Sequence, residues 1–172
     1  MVETNIDALY LYVEVFIAFV AFATIVATIK QAFGKKLTVL QYLLFRFFVE
    51  VGFLHVVMTL LSISLFDVLA DKTEAWRYST YSIIGIVCFY FVFYFKRRRA
   101  MGLKATLPTS SKIVSLGYVL FILFLMVTVT GQYWQASLAT TLAYLLWAIV
   151  SNMIIFVQFI GTFLEVDLEE VN

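Results

Sequence analysis

Charge is what this chain has least of. Asp, Glu, Lys and Arg make up 13% of the 172 residues, about half their share in soluble domains. There is one histidine, one proline and one cysteine. A lone Cys88 forms no internal disulfide and says nothing about redox compartment. A single histidine with no cysteine cluster argues against a transition-metal site of the usual kind. A net charge of +1 gives no bulk case for nucleic acid. None of Asn5, Asn152 and Asn172 opens an Asn-x-Ser/Thr sequon. The chain also lacks a paired-aspartate metal motif, a Gly-x-Ser-x-Gly elbow, a His-Glu-x-x-His helix and a Gly-rich phosphate loop. No lysine lies within an apolar run to carry a retinal Schiff base. An enzyme is therefore not expected, and no cofactor is implied.

What is present is apolar surface. Hydrophobic residues reach 63%, aromatic residues 18% with 18 Phe, and mean hydropathy is +0.99. A soluble fold of this length cannot cover that much carbon, so the surplus must face lipid. Five segments are long enough to cross about 30 Å of hydrocarbon, which takes about 20 helical residues. They run approximately 9–29, 37–66, 78–95, 113–130 and 138–164. None alternates with period two, so all are read as helices. The N-terminal MVETNIDALY is acidic ahead of its apolar run and reads as a retained first span, not a cleavable signal. The second segment exceeds a straight crossing, and Gly52 or the Ser62–Ser64 pair are its candidate bends.

Nine of the twelve basic residues fall in two connections. Lys30, Lys35 and Lys36 lie in the first, and Lys96, Arg97, Arg98, Arg99, Lys104 and Lys112 in the third. The positive-inside bias places both in the cytoplasm, with the N-terminus outside and the C-terminus cytoplasmic. The sequence thus predicts an all-α integral membrane protein. It is a single transmembrane domain over 1–172, multi-pass in a plasma or inner membrane, with a basic cytoplasmic loop at 96–112 and an acidic tail at 165–172. Trp76, Tyr78, Tyr133 and Trp134 suit an outer interfacial belt. Pro108 followed by Thr109-Ser110-Ser111 reads as a turn and N-cap for the fourth helix.

Glu50 is the sharpest feature, a carboxylate near the middle of the 37–66 run. A charge at a bilayer centre costs about 2.5–3.5 kcal/mol even on the lenient insertion scale. Arg46, one turn earlier, shares its face. The pair is either a static ion pair or a proton or cation site that Arg46 tunes. His55 lies about 140° around the helix from Glu50 and starts a separate polar stripe with Thr59 and Ser62. It is a hydrogen-bonded packing residue or a proton relay. Glu14, on the first span, falls at a depth where it either bonds His55 or reaches outer headgroups. Ala21, Thr24 and Thr28 suit close helix packing.

On the fifth span Thr140, Tyr144, Trp147, Ser151, Gln158 and Thr162 line one side. They pack within the monomer, form a subunit interface or line a pore. Tyr78, Tyr81, Gly85 and Cys88 repeat the pattern more weakly on the third span. The Lys96–Arg99 run anchors to anionic headgroups, at about 1 kcal/mol per charge, or docks an acidic partner. Two functions follow. One is a small homo-oligomeric channel or transporter passing protons or cations along Glu50, Arg46, His55 and Glu14. The other is a non-conducting anchor, sensor or assembly subunit that binds a partner through its basic loop and acidic tail.

Overall fold

The computed structural model describes residues 6–32, 37–101, 109–131 and 134–169; the side chains of 30, 31 and 163–169 fall outside that description. Lys30, Lys35, Lys36, Lys104, Pro108, Tyr133 and the acidic tail residues Glu165, Asp167, Glu169 and Glu170 are therefore outside the described side chains. Five helices follow one another: α1 Asp7–Ala32, α2 Val39–Val68, α3 Lys72–Ala100, α4 Thr109–Thr130 and α5 Leu138–Glu169. Among the described residues there is no strand. All five helices are long and apolar enough to cross a membrane, and together they fit a transmembrane helical bundle.

Local chemistry sets where the helices begin and end. Thr38 and Gln41 form a reciprocal capping box at the start of α2, each side chain meeting the other's backbone N–H at 3.1–3.2 Å. Asp71 caps α3 by accepting from the N–H groups of Thr73 and Glu74. Lys72 turns back over α2, donating to the carbonyls of Phe66 and Leu69, where a cation suits the helix C-terminus. α4 ends at Gly131, whose φ of 68° is the left-handed conformation that favours glycine after a helix. Ser137 and Thr140 bond each other's backbone N–H groups at the start of α5.

α3 overshoots its apolar run at both ends, because lipid limits hydropathy while the hydrogen-bond ladder continues into polar sequence. α4 likewise begins at Thr109, which puts Ser110 and Ser111 inside its first turn rather than ahead of it. α2 is unbroken through Gly52 and through Ser62–Ser64. Gly52 is a point of close approach instead: a Cβ there would come within 2.4 Å of the Val20 side chain on α1.

Each helix runs antiparallel to its successor, as contacts at two heights show: Phe16 with His55 and Phe19 with Phe48; Glu50 with Arg97 and Ser62 with Ser79; Phe91 with Tyr118, and Thr73 and Arg77 beside Thr128 and Gly131; Ser110 with Gln158 and Tyr118 with Tyr144. α2, α3, α4 and α5 close a four-membered ring through α2·α3, α3·α4, α4·α5 and α2·α5 packing. α1 lies outside it against α2 and α5. α2 is the most enclosed helix, 44% of its most apolar window being buried against 22% for α1.

In lipid, carbon packing between helices gains no hydrophobic energy over contact with acyl chains, so close fit and hydrogen bonds carry the association. That changes which faces turn inward. α1 packs through Leu9, Phe16, Val20, Ala23 and Ala27, while Ala21, Thr24 and Thr28 face outward. The two threonines are spared a partner by bonding their own helix carbonyls. Tyr78, Tyr81, Gly85 and Cys88 also face outward on α3. Trp76, expected in an interfacial belt, is buried against Phe66, whereas Tyr78 and Trp134 are exposed.

Candidate functional site

The polar residues gather in three layers along α2. The first lies near the end of α3 that carries Lys96–Arg99, called here the basic end. Arg46 Nε donates to Glu50 Oε1 at 2.6 Å, and its Nη1 donates to the Tyr42 hydroxyl at 3.2 Å. Arg97 Nη1 donates to both Glu50 oxygens, at 2.9 and 2.6 Å, and the Tyr90 hydroxyl donates to Oε2 at 3.1 Å. Four contacts thus occupy a carboxylate that has about four lone-pair sites. The Arg97 guanidinium also stands 5.1 Å from the centre of the Phe93 ring.

This layer places Glu50 beside the basic end of α3. Phe47 packs on Tyr90 and Tyr94, so Glu50 stands only a turn or two from the basic run of α3. The basic run is also divided. Arg97 turns onto Glu50, Arg98 is buried beside Tyr94 at 9% exposure, and Lys96 and Arg99 are exposed. Treating the run as a loop hides this. Once α3 continues to Ala100, Tyr90, Phe93 and Arg97 follow spacings of three and four and share a face.

The second layer begins at His55, about 7.5 Å further along α2 and buried between α1, α2 and α5. Its Nδ1–H donates to the Val51 carbonyl at 2.7 Å, which leaves Nε2 to accept from the Tyr144 hydroxyl at 3.1 Å. The ring stacks on Phe16 with centroids 4.9 Å apart. Both nitrogens are therefore engaged, and of the two readings of Glu14 the bond to His55 is not formed. Glu14 is exposed on α1 and Phe16 takes the place beside the imidazole. Tyr118, Trp147 and Ser151 complete this layer, with the Trp147 ring seated against Gly117 on α4. Tyr144, Trp147 and Ser151 thus face the interior of the ring. The Tyr118 and Ser151 hydroxyls neighbour one another without a hydrogen bond of normal geometry, and Trp147 Nε1 and both side-chain polar atoms of Asn152 have no partner. Gln158 lies nearer the basic end, accepting from Ser110 at 2.6 Å and Ser111 at 3.3 Å.

The third layer is the hydroxyl cluster of Thr59, Ser62 and Ser79. Thr59 and Ser62 donate to carbonyls one turn back on α2, and Ser62 meets Ser79 of α3. Between the first and second layers lies a cavity of about 20 Å³, bordered by Val51, His55, Tyr90, Tyr118 and Tyr144 among apolar side chains. It has room for about one water. The polar tips around it are already bonded elsewhere or turned away.

Tyr90, Gln41, Tyr118 and Asn152 were not singled out from the sequence. Gln41 was legible from the Thr38-x-x-Gln41 spacing; its side chain goes on to donate to the Thr162 carbonyl at 2.9 Å. Nothing distinguishes Tyr90 or Tyr118 among ten tyrosines. Among the described residues, no group of three or more His, Cys, Asp or Glu is placed to hold a metal ion. Comparison with protein-family models, curated proteins and solved structures returns no match.

Proposed function

We propose that this chain is a non-conducting membrane subunit, a rigid helical scaffold with its basic end toward the cytoplasm. There Lys96 and Arg99, on the last turn of α3, engage anionic headgroups, and the connection between α3 and α4 and the acidic 165–172 tail are left to bind a protein partner. The observation that supports this most is the saturation of Glu50. Two guanidiniums and a hydroxyl fill its lone-pair sites, so none is left open to coordinate a passing cation. The interior supports the same reading, because a cavity of about 20 Å³ admits one water at most and no hydrated ion.

A second reading, the small oligomeric channel or transporter, is favoured by a different observation. Trp147 and Asn152 leave three buried polar atoms without partners, and a hydrated state of the ring would satisfy them. It would carry protons past His55 and Tyr144 rather than through Glu50. One experiment separates the two: pH-gradient dissipation in liposomes holding the purified wild type, Glu50→Gln or His55→Gln, each also followed by thermal unfolding. The scaffold reading expects flux no greater than in empty liposomes and a lowered unfolding temperature for Glu50→Gln. Flux above background that falls in His55→Gln, with stability kept, would replace it with proton conduction.

A further inference from the structure

An open groove of about 360 Å³ runs along the outer seam of α2 and α3, lined by Leu54, Gly85, Ile86, Phe89, Tyr90 and Phe93. Gly85 makes it: a Cβ placed there meets no atom within 4 Å. The lining is apolar apart from the Tyr90 hydroxyl, and that hydroxyl donates to Glu50. Phe93 likewise serves both places, forming the wall of the groove and the seat of the Arg97 guanidinium. The groove therefore leads directly into the Arg46–Glu50–Arg97 cluster. Two guanidiniums against one carboxylate leave that cluster one positive charge. Arg46 keeps 42% of its side chain exposed, and the exposed Lys96 and Arg99 stand beyond it.

We infer that this seam binds one anionic phospholipid, its acyl chain in the Gly85 groove and its phosphate at Arg46, with Lys96 and Arg99 above. An acyl chain gains no hydrophobic energy by leaving the bilayer for an apolar groove. Retention must come from the headgroup, so the site selects by charge. Glu50 does not repel the phosphate, because its oxygens are turned into Arg97, Arg46 and Tyr90. The site stands whether or not the bundle conducts.

Cys88, exposed on α3 one turn from Gly85, provides the reporter. The full-length protein, labelled at Cys88 with bimane, is titrated in mixed micelles with brominated phosphatidylglycerol and, separately, brominated phosphatidylcholine. Quenching by the anionic lipid should show roughly fivefold tighter association, the yield of about one near-surface charge. Gly85→Leu, which fills open space and leaves the fold intact, should bring the two lipids within twofold of each other. Arg46→Gln should do the same, since Arg97 still holds Glu50. Equal quenching of the wild type by both lipids overturns the site. So does an anionic preference that survives Gly85→Leu, which would put the lipid on the basic surface rather than in the groove.

Discussion

One nitrogen of Arg97 donates to both carboxylate oxygens of Glu50, a residue 47 positions earlier in the chain. That bond ties the far end of α3 to the first half of α2, and Arg46 closes the clamp from the other side. Helix association in lipid has little hydrophobic drive, so a charged tie between helices counts for more here than on a soluble surface.

Glu50→Gln leaves two guanidiniums facing an amide that can neutralise neither. Removing one partner of a partly buried ion pair should cost roughly 1–3 kcal/mol, below the 3–5 kcal/mol of full burial. Arg46→Gln should cost about 1 kcal/mol or less, because Arg46 is 42% exposed and Arg97 remains. Chemical unfolding in detergent gives the order. If Arg46→Gln proves the more damaging, Arg97 is not the principal partner.

Tyr144→Phe deletes the hydroxyl that donates to His55 Nε2, leaving a buried acceptor without its donor. The expected loss is about 1–3 kcal/mol. NMR of the labelled imidazole provides a second readout, with the Nε2 resonance moving and the Nδ1–H bond to Val51 retained. An unchanged Nε2 signal would mean the bond is not formed in solution.

Gly117→Ala should be among the most destabilising single-methyl changes in the chain. The added Cβ would lie 1.9 Å from the Trp147 ring, and overpacking of this kind costs about 1–3 kcal/mol. Trp147→Leu in the same protein should recover much of the loss. Gly161→Ala is the control, because its Cβ meets nothing within 4 Å; helix propensity should make it neutral or stabilising by up to about 1 kcal/mol. Thermal unfolding of the four proteins settles it.

Asn152→Leu should stabilise the bundle. Both polar atoms of Asn152 lack partners at 1% exposure, and an unsatisfied buried amide costs about 1–3 kcal/mol. Leucine has a similar shape without that cost. A lowered unfolding temperature would show that an ordered water meets the amide in the folded protein.

The five spans were legible because length and hydropathy answer directly to bilayer thickness. Which face of each helix turns inward was legible only where polarity breaks the symmetry. On α5, Tyr144, Trp147 and Ser151 announce the inner side. On α1, Leu9, Phe16 and Val20 are no more apolar than Tyr10, Ile17 and Phe22, which are exposed. Lipid and protein interior accept the same side chains, so no pattern separates them. Arg46 with Glu50 could be read because both lie on one helix. Arg97 could not, since its place depends on a helix that outlasts its hydrophobic run and on a neighbour far away in sequence.

The ring also has a history in time. Translation delivers α2 with its polar groups before the helices that satisfy them, and domains are made N-terminus first at about 5–20 residues per second. His55 waits 89 residues for Tyr144, and Gln41 waits 121 for the Thr162 carbonyl. At that pace the imidazole of a nascent chain stays without its α5 donor for on the order of ten seconds. α5, made after the other four helices of the bundle, is also the one that closes the ring between α4 and α2, so truncation before it would leave the membrane machinery holding an open, half-satisfied ring.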